Sequence, residues 1–245
     1  MLLRTRRFSA AALVAPALVA LTLLGVAVTT GTARADTGYV IGSTGYDVSY
    51  PQCGGSLPAS PGFGIVGVNN GKSFTANPCF AEQMEWAEGA AQEPAVYVNT
   101  NGAPKKYRHA SCARRDVDCN NYQYGRAAAT YSLSLVDGVA PEVSRYWLDV
   151  ETMNSWSRDR GANAEVLRGF IDVLEGAGKT VGIYSTSYQY GRIAGNYAPG
   201  LDNWVPVPEA RHETAPEYCE TTPSFGGGEV VMLQLWYEFD ENYVC

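Results

Sequence analysis

The sequence predicts an α/β fold, a parallel β/α barrel that is closed or nearly closed, and three observations point to it. Short apolar runs alternate with helix-like stretches from Val40 to Trp236. Such alternation implies a parallel sheet with right-handed crossovers. Several of these runs end on their C-terminal side in polar or acidic residues. No Gly-rich phosphate loop follows the first run, so the main signature of an open doubly wound sheet is missing.

Val40-Ile41-Gly42 leads into Gly45-Tyr46-Asp47-Val48-Ser49, a first strand ending at an acid. Phe63 to Val68 reads as the second strand, followed by Asn69-Asn70-Gly71. From Phe80 to Ala91 the apolar residues Phe80, Met84, Ala87 and Ala91 recur at helical spacing. Pro94 to Val98 is a third strand running into Asn99-Thr100-Asn101-Gly102, and the charged Cys112 to Cys119 segment reads as a surface excursion. Tyr124 to Val136 reads as a helix and Arg145 to Val150 as the fourth strand. Asn163 to Ala177 is an amphipathic helix with the stripe Val166, Leu167, Phe170, Ile171 and Leu174, ended by Gly176 and Gly178. Thr180 to Tyr184 is the fifth strand, and Asp202 to Val205 and Glu229 to Trp236 are short late strands.

Residues 1–35 stand apart from this pattern. Arg4, Arg6 and Arg7 precede an apolar stretch from Ala10 to Val28, and Ala33-Arg34-Ala35 supplies small residues at a cleavage position. This is the layout of a secretory signal peptide cut after Ala35, leaving residues 36–245 as one extracellular domain. A retained anchor is the rival, since the run approaches spanning length, but Pro16 interrupts it. Arg6-Arg7 raises a twin-arginine route, which the following Phe8-Ser9-Ala10 fits poorly.

The chain has 18 Lys and Arg against 25 Asp and Glu; removing the leader removes four arginines and no acids, for a net charge of −11. Such a surface is not steered toward nucleic acid or anionic membranes, and neither is expected as a partner. A monomer is expected. All six cysteines, Cys53, Cys79, Cys112, Cys119, Cys219 and Cys245, follow the leader. An even number in an exported chain implies disulfides, and spacing favours Cys112 with Cys119, leaving Cys53–Cys79 and Cys219–Cys245 as the economical remainder. With no C-x-x-C pair and only His109 and His212, the sequence predicts no metal and no cofactor. The scarcity of histidine also weighs against a Ser-His-Asp or Cys-His hydrolase.

The candidate site is the end of the fourth strand, Tyr146-Trp147-Leu148-Asp149-Val150-Glu151. Alternate residues of a strand leave on one face, so Asp149 and Glu151 point the same way with Cα atoms ~6.5 Å apart. In a parallel barrel the strand ends share one face, where Asp47, Asn69, Asn99, Asn101, Tyr184 and Asp240 also fall. Each has an ordinary explanation taken alone: Asp47 could bond the turn at Ser49, Asp240 could cap a turn, and the asparagines could be loop formers. Their shared placement favours chemistry. Clustered carboxyls suit glycoside hydrolysis, in which one acid protonates the leaving oxygen while a second group stabilises or attacks the anomeric carbon. Tyr46, Tyr50, Tyr184, Tyr188, Trp236 and Tyr237 could offer faces to sugar rings, although core packing accounts for most aromatics.

Several segments resemble the glycoside hydrolase family 25 muramidases, in order along the chain. Gly45-Tyr46-Asp47-Val48-Ser49-Tyr50-Pro51-Gln52 is similar to that family's opening G-x-D-V-S-x-x-Q, and Asn77-Pro78-Cys79-Phe80 to its N-P-x-F. Asp149-Val150-Glu151 matches its D-x-E strand, Gly182-Ile183-Tyr184-Ser185 its G-x-Y-[ST], and Asp240-Glu241-Asn242 its closing D-x-N. The resemblance implies a TIM-type β/α barrel, flattened and with irregular or missing helices in its second half. It implies cleavage between N-acetylmuramic acid and N-acetylglucosamine in cell-wall peptidoglycan. Glu151 would be the general acid, with Asp149 assisting directly or by steering the 2-acetamido group, and Asp47 and Asp240 lining the cleft. Asn69, Asn99, Asn101, Tyr184, Gln234 and Trp236 are the candidate substrate contacts.

The chain departs from the family at Gly67-Val68-Asn69-Asn70-Gly71, where a K-A-T-E-G-like run is usual. It departs again at Tyr97-Val98-Asn99-Thr100-Asn101, and at Leu233-Gln234-Leu235, which keeps only the glutamine of W-Q-Y. A divergent, exported branch of the kind found in actinobacteria is the expectation. Two other readings remain: a non-catalytic glycan-binding barrel that keeps the acids, and a disulfide-stapled interaction protein whose acids only solvate one face.

Overall fold

The computed structural model describes residues 38–59 and 61–245; the expected leader and its cleavage site lie outside the described residues. Eight strands close into one barrel in sequence order: β1 (Thr44–Val48), β2 (Gly64–Gly67), β3 (Ala95–Asn99), β4 (Arg145–Asp149), β5 (Thr180–Tyr184), β6 (Asp202–Pro206), β7 (Val230–Trp236) and β8 (Asp240–Val244). Neighbouring strands from β1 to β7 pair in parallel, as expected. β8 runs the other way, between β7 and β1, and closes the ring through two antiparallel ladders. That strand was not anticipated. Asp240, expected just beyond the last strand, is instead the first residue of β8, opposite Trp236.

Helices α1 (Phe80–Glu88), α2 (Val117–Asp137), α3 (Arg160–Gly176), α4 (Ser187–Ile193) and α5 (Ala215–Thr221) follow β2, β3, β4, β5 and β6. Only a 3-10 turn, Tyr50–Gln52, follows β1, and β7 turns directly into β8. The two short helices α4 and α5 give the thin second half. α1 stops before the expected Ala91 because Gly89 takes the C-cap. α2 begins seven residues before Tyr124, inside the expected surface excursion, because the Asp116 carboxylate accepts the Cys119 N–H and caps its first turn. Val40 and Ile41 stay exposed outside β1.

Strand periodicity sorts the side chains into two cores. Phe63, Ile65, Ala95, Trp147, Trp204, Met232 and Val244 fill the barrel interior. Val66, Val96, Val98, Tyr146, Leu148 and Ile183 face outward onto Met84, Ala128, Val166, Leu167 and Phe170 of the helices. Along β4 this places Trp147 and Asp149 inside, Tyr146 and Leu148 outside. Glycine sets the closest approaches. A Cβ on Gly125 would lie 2.0 Å from the Val166 carbonyl oxygen and one on Gly169 2.2 Å from that of Tyr122, so α2 and α3 touch backbone to backbone. The expected disulfides are the ones formed: Cys53–Cys79, Cys112–Cys119 and Cys219–Cys245.

Inside the barrel, Gly182 faces the Trp147 indole, and an added Cβ would sit 2.2 Å from the ring. Gly182→Ala therefore forces that buried ring aside and is expected to destabilise by about 1–3 kcal/mol in urea unfolding. Gly191, inside α4 with open space around its Cβ position, is the contrast. Gly191→Ala should leave stability unchanged or raise it by up to about 1 kcal/mol.

Candidate active site

The inward rows of the strands change character along their length. On β3 the row is Ala95, Tyr97, Asn99; on β4 it is Trp147, Asp149 and then Glu151; on β7 it is Met232, Gln234, Trp236. β8 enters from the opposite end, so its row runs Asp240, Asn242, Val244. Each row is apolar at one end of the barrel and carries polar groups toward the other, with Trp236 at the rim of β7. The polar end opens into a cleft of about 540 Å³. Asp47, Asp149, Glu151 and Asp240 line it, with Asn99, Tyr184, Gln234 and Trp236 among the expected contacts.

Asp47 is buried, and its Oδ2 accepts hydrogen bonds from Gln234 Nε2 and Asn242 Nδ2, both at 2.9 Å. Tyr184 donates its hydroxyl to Gln234 Oε1 at 2.7 Å, which turns the Gln234 amide nitrogen toward Asp47. Asp149, also buried, accepts hydrogen bonds from Asn99 Nδ2 and, at 3.4 Å, from Asn154 Nδ2. Asn69 does not line the cleft: its side chain donates to the Asn99 carbonyl and accepts from the Asn99 N–H, holding the residue that holds Asp149. Asn101 also lies off the cleft, accepting from Ser73 N–H and donating to the Tyr124 hydroxyl.

Glu151 is half-buried at the mouth. Gln189, on α4, accepts from Thr152 N–H at 2.7 Å and from the Thr152 hydroxyl at 2.9 Å, which leaves its amide nitrogen facing Glu151 Oε1 at 3.4 Å. Gln189 and Asn154 were missed, because one sits on an unanticipated short helix and the other in an irregular loop. Asn242 was legible as the third residue of the D-x-N segment, but its bond to Asp47 requires β8 to be a strand. Of the aromatics, Tyr50 and Trp236 stand exposed beside the acids, whereas Tyr237 stacks on His212.

These surroundings favour the protonated carboxyls. Burial, followed by repulsion from Asp240, raises Asp47 to about 7 against the opposing pull of Gln234 and Asn242. Burial, followed by repulsion from Glu151, holds Asp149 well above the ordinary carboxylate range despite the bonds from Asn99 and Asn154. Burial also raises Glu151, with Gln189 opposing and Asp240 adding. Asp240, at the exposed rim, is raised by burial of its carboxyl against the cleft. The four acids therefore interact, and each is pushed toward its protonated form. An arrangement of this kind can deliver a proton and stabilise a developing cation in the same cleft. Among the described residues, no three His, Cys, Asp or Glu side chains are placed to hold a metal ion.

Comparison with known proteins bears on this arrangement. A family model described as lysozyme-like protein 1 matches residues 118–225, a span that contains Asp149 and Glu151. A probable GH family 25 lysozyme 4 from Dictyostelium discoideum is 32% identical over 86 residues, which is 35% of this chain and 38% of that protein. Lysozyme-like protein 5 from Caenorhabditis elegans is 27% identical over 108 residues, 43% of this chain and 47% of that protein. The chain thus spans less than half the length of these curated relatives. Among solved structures, a GH25 lysozyme from Aspergillus fumigatus aligns over 83% of this chain and 93% of its own, at 14% identity and a TM-score of 0.57. A bacterial lysozyme from Streptomyces coelicolor aligns over 83% and 92%, at 17% identity and a TM-score of 0.55. A family 25 glycosyl hydrolase from Bacillus anthracis aligns over 84% and 89%, at 15% identity and a TM-score of 0.54. Likeness at these identities is likeness of fold, and it agrees with the expected TIM-type barrel.

The raised carboxyls carry a stability signature. A carboxyl whose folded value lies above its unfolded value stabilises fully below the unfolded pKa and loses that contribution as pH rises through the folded one. For Asp47 the window runs from about 3.8 to about 7, a loss on the order of 4 kcal/mol. Urea-unfolding stability should fall between pH 4 and 7, and Asp47→Asn should flatten that slope.

Proposed function

We propose that this chain is an exported glycoside hydrolase of the family 25 lysozyme type that cleaves the N-acetylmuramic acid–N-acetylglucosamine bond of peptidoglycan or a related N-acetylated glycan. The observation that carries this reading is the strand end Asp149-Val150-Glu151, which puts a buried and a half-buried carboxyl into one cleft beside Asp47. Comparison supports the same family and a barrel of the same architecture. The mismatched segments at 67–71 and 97–101 favour a divergent branch. Three disulfides among the described residues support export, with cleavage after Ala35.

In this reading Glu151, which burial pushes toward its protonated form, gives its proton to the glycosidic oxygen as the bond to the anomeric carbon breaks. Gln189 fixes the carboxyl at the mouth, where it reaches substrate. Asp149 faces the developing positive charge, either directly or by orienting the substrate's 2-acetamido oxygen toward the anomeric carbon. Water then completes hydrolysis, returning a proton to Glu151. Asp47 and Asp240 set the charge of the cleft, and Tyr50 and Trp236 lie where sugar faces pass. Asn69 and Asn101 act behind the cleft wall, through Asn99 and Ser73, and not on substrate. A non-catalytic glycan-binding barrel is the second reading, favoured by the same altered segments.

Zymography on purified cell walls with the wild type and Glu151→Gln separates them. The wild type should clear the wall and Glu151→Gln should lose about 10²–10⁴-fold in rate while keeping its fold. Clearing by both proteins would remove Glu151 from its role, and wall binding without clearing by the wild type would leave the binding reading.

A further inference from the structure

Beside the acidic cleft lies a second, larger cavity of about 950 Å³ with the opposite charge. Lys105, Arg108, Arg114, Arg115 and Arg158 line it, in a chain that carries a net charge of −7. Only Asp116 and Asp159 oppose them there, and both carboxylates are engaged as helix caps, accepting from Cys119 N–H and Ala162 N–H. Among the described residues, none of the five cations forms an ion pair within 4.0 Å, although chain charge favours pairing. All five are exposed. Arg108 donates to the Lys105 and Tyr107 carbonyls, and among the described residues no carboxylate neutralises the group. Basic groups gathered without carboxylate partners on an acidic protein are an arrangement suited to an anionic ligand.

The cavity adjoins the cleft along two segments. Asn99 and Asn154 belong to the cleft wall; Asn101 and Ser155, close along the same two segments, belong to the cavity wall. A hydrogen bond from Gly102 N–H to the Ser155 carbonyl, 2.8 Å, joins the two segments at the divide. The basic loop is also held in place. The Cys112–Cys119 disulfide ties it to α2, and Asn120 Oδ1 accepts the His109 N–H at 2.8 Å. A ligand therefore meets cations whose backbone is already fixed.

We propose that this cavity is a subsite for a short peptide bearing carboxylates, attached to the glycan strand that occupies the cleft. The proposal rests on the glycan-hydrolase reading above and adds what that glycan must carry. Guanidinium forks match carboxylates in a bidentate manner, and three of the five cations nearest α2 and α3 are the arginines 114, 115 and 158. Between them Ala103, Pro104, Tyr107, Val117 and Trp156 supply apolar wall, which suits small aliphatic side chains between carboxylates and has no use for a uniform phosphodiester polymer. The volume exceeds that of the acid cleft, room for several residues.

The test uses the full chain carrying Glu151→Gln, with or without Arg114→Gln/Arg115→Gln/Arg158→Gln, and calorimetric titration. The probes are a soluble glycan tetrasaccharide with pentapeptide stems, the same tetrasaccharide without peptide, the peptide form with its carboxylates amidated, and a tetrasaccharide bearing a phosphodiester polymer. Neutralising the arginines should weaken the peptide-bearing probe about tenfold or more and leave the peptide-free probe unchanged. Amidating the carboxylates, or raising the salt with the arginines intact, should produce the same loss without relying on a variant. Equal affinity across these comparisons, or tighter binding of the phosphodiester probe, would overturn the proposal. Turnover of the peptide-free tetrasaccharide by the wild type reads the hydrolase reading separately. Its absence alongside peptide-dependent binding would sink the hydrolase and leave the subsite. Its presence with no peptide effect would do the reverse.

Discussion

Holding two carboxyls inside the upper barrel is the constraint on which the rest of the site depends. A buried carboxyl is costly unless it is protonated or hydrogen-bonded, and Asp47 and Asp149 are supplied with amide donors from four separate segments. Gln234 comes from β7, Asn242 from β8, Asn99 from β3 and Asn154 from the loop beyond β4. Two of these donors are themselves held, Gln234 by Tyr184 and the Asn99 backbone by Asn69. The consequence is a set of acids whose positions are fixed by the barrel and which burial pushes toward the protonated form. Below them the indoles of Trp147 and Trp204 close the floor, so the acids cannot sink toward water from the other end.

Much of this was legible in the sequence because parallel strands write their polarity in one direction. An apolar run ending in Asp47, Asn99, Asp149 or Tyr184 places the polar group at the same face each time. β8 escaped for the same reason. It is antiparallel, so Asp240-Glu241-Asn242-Tyr243-Val244 starts polar and ends apolar, and it resembles a tail after a strand. Gln189 and Asn154 left no periodic trace: each acts through one side chain from a short helix or an irregular loop. The extension of α2 to Val117 was hidden by charge, since its first turn is stabilised by the Asp116 cap and not by an apolar stripe. Spacing pointed to Cys112–Cys119, seven residues apart, and the other two pairs followed only as the economical remainder, each joining cysteines 26 residues apart.

The distribution of charge gives the molecule two neighbouring compartments with opposite demands. The cleft concentrates acids and favours proton delivery, and the cavity across the Gly102–Ser155 bond concentrates cations. A glycan strand with acidic branches would satisfy both at once, its neutral backbone over the carboxyls and its anions over the guanidinium groups. The asparagines at 99 and 101, alternate residues at one strand end, then serve one compartment each: Asn99 anchors Asp149 in the cleft, and Asn101 lines the cavity, held by Ser73 and Tyr124.

The central claim is that Asp47, Asp149, Glu151 and Asp240 form one coupled, partly desolvated acid cluster. Carboxyl-selective carbon-13 NMR titration of the four residues between pH 2 and 9 tests it most directly. The account predicts that Asp47 and Asp149 titrate far above ordinary aspartates, that Glu151 is raised with them, and that neutralising any one shifts the others. Four independent titrations at ordinary carboxylate values would contradict it.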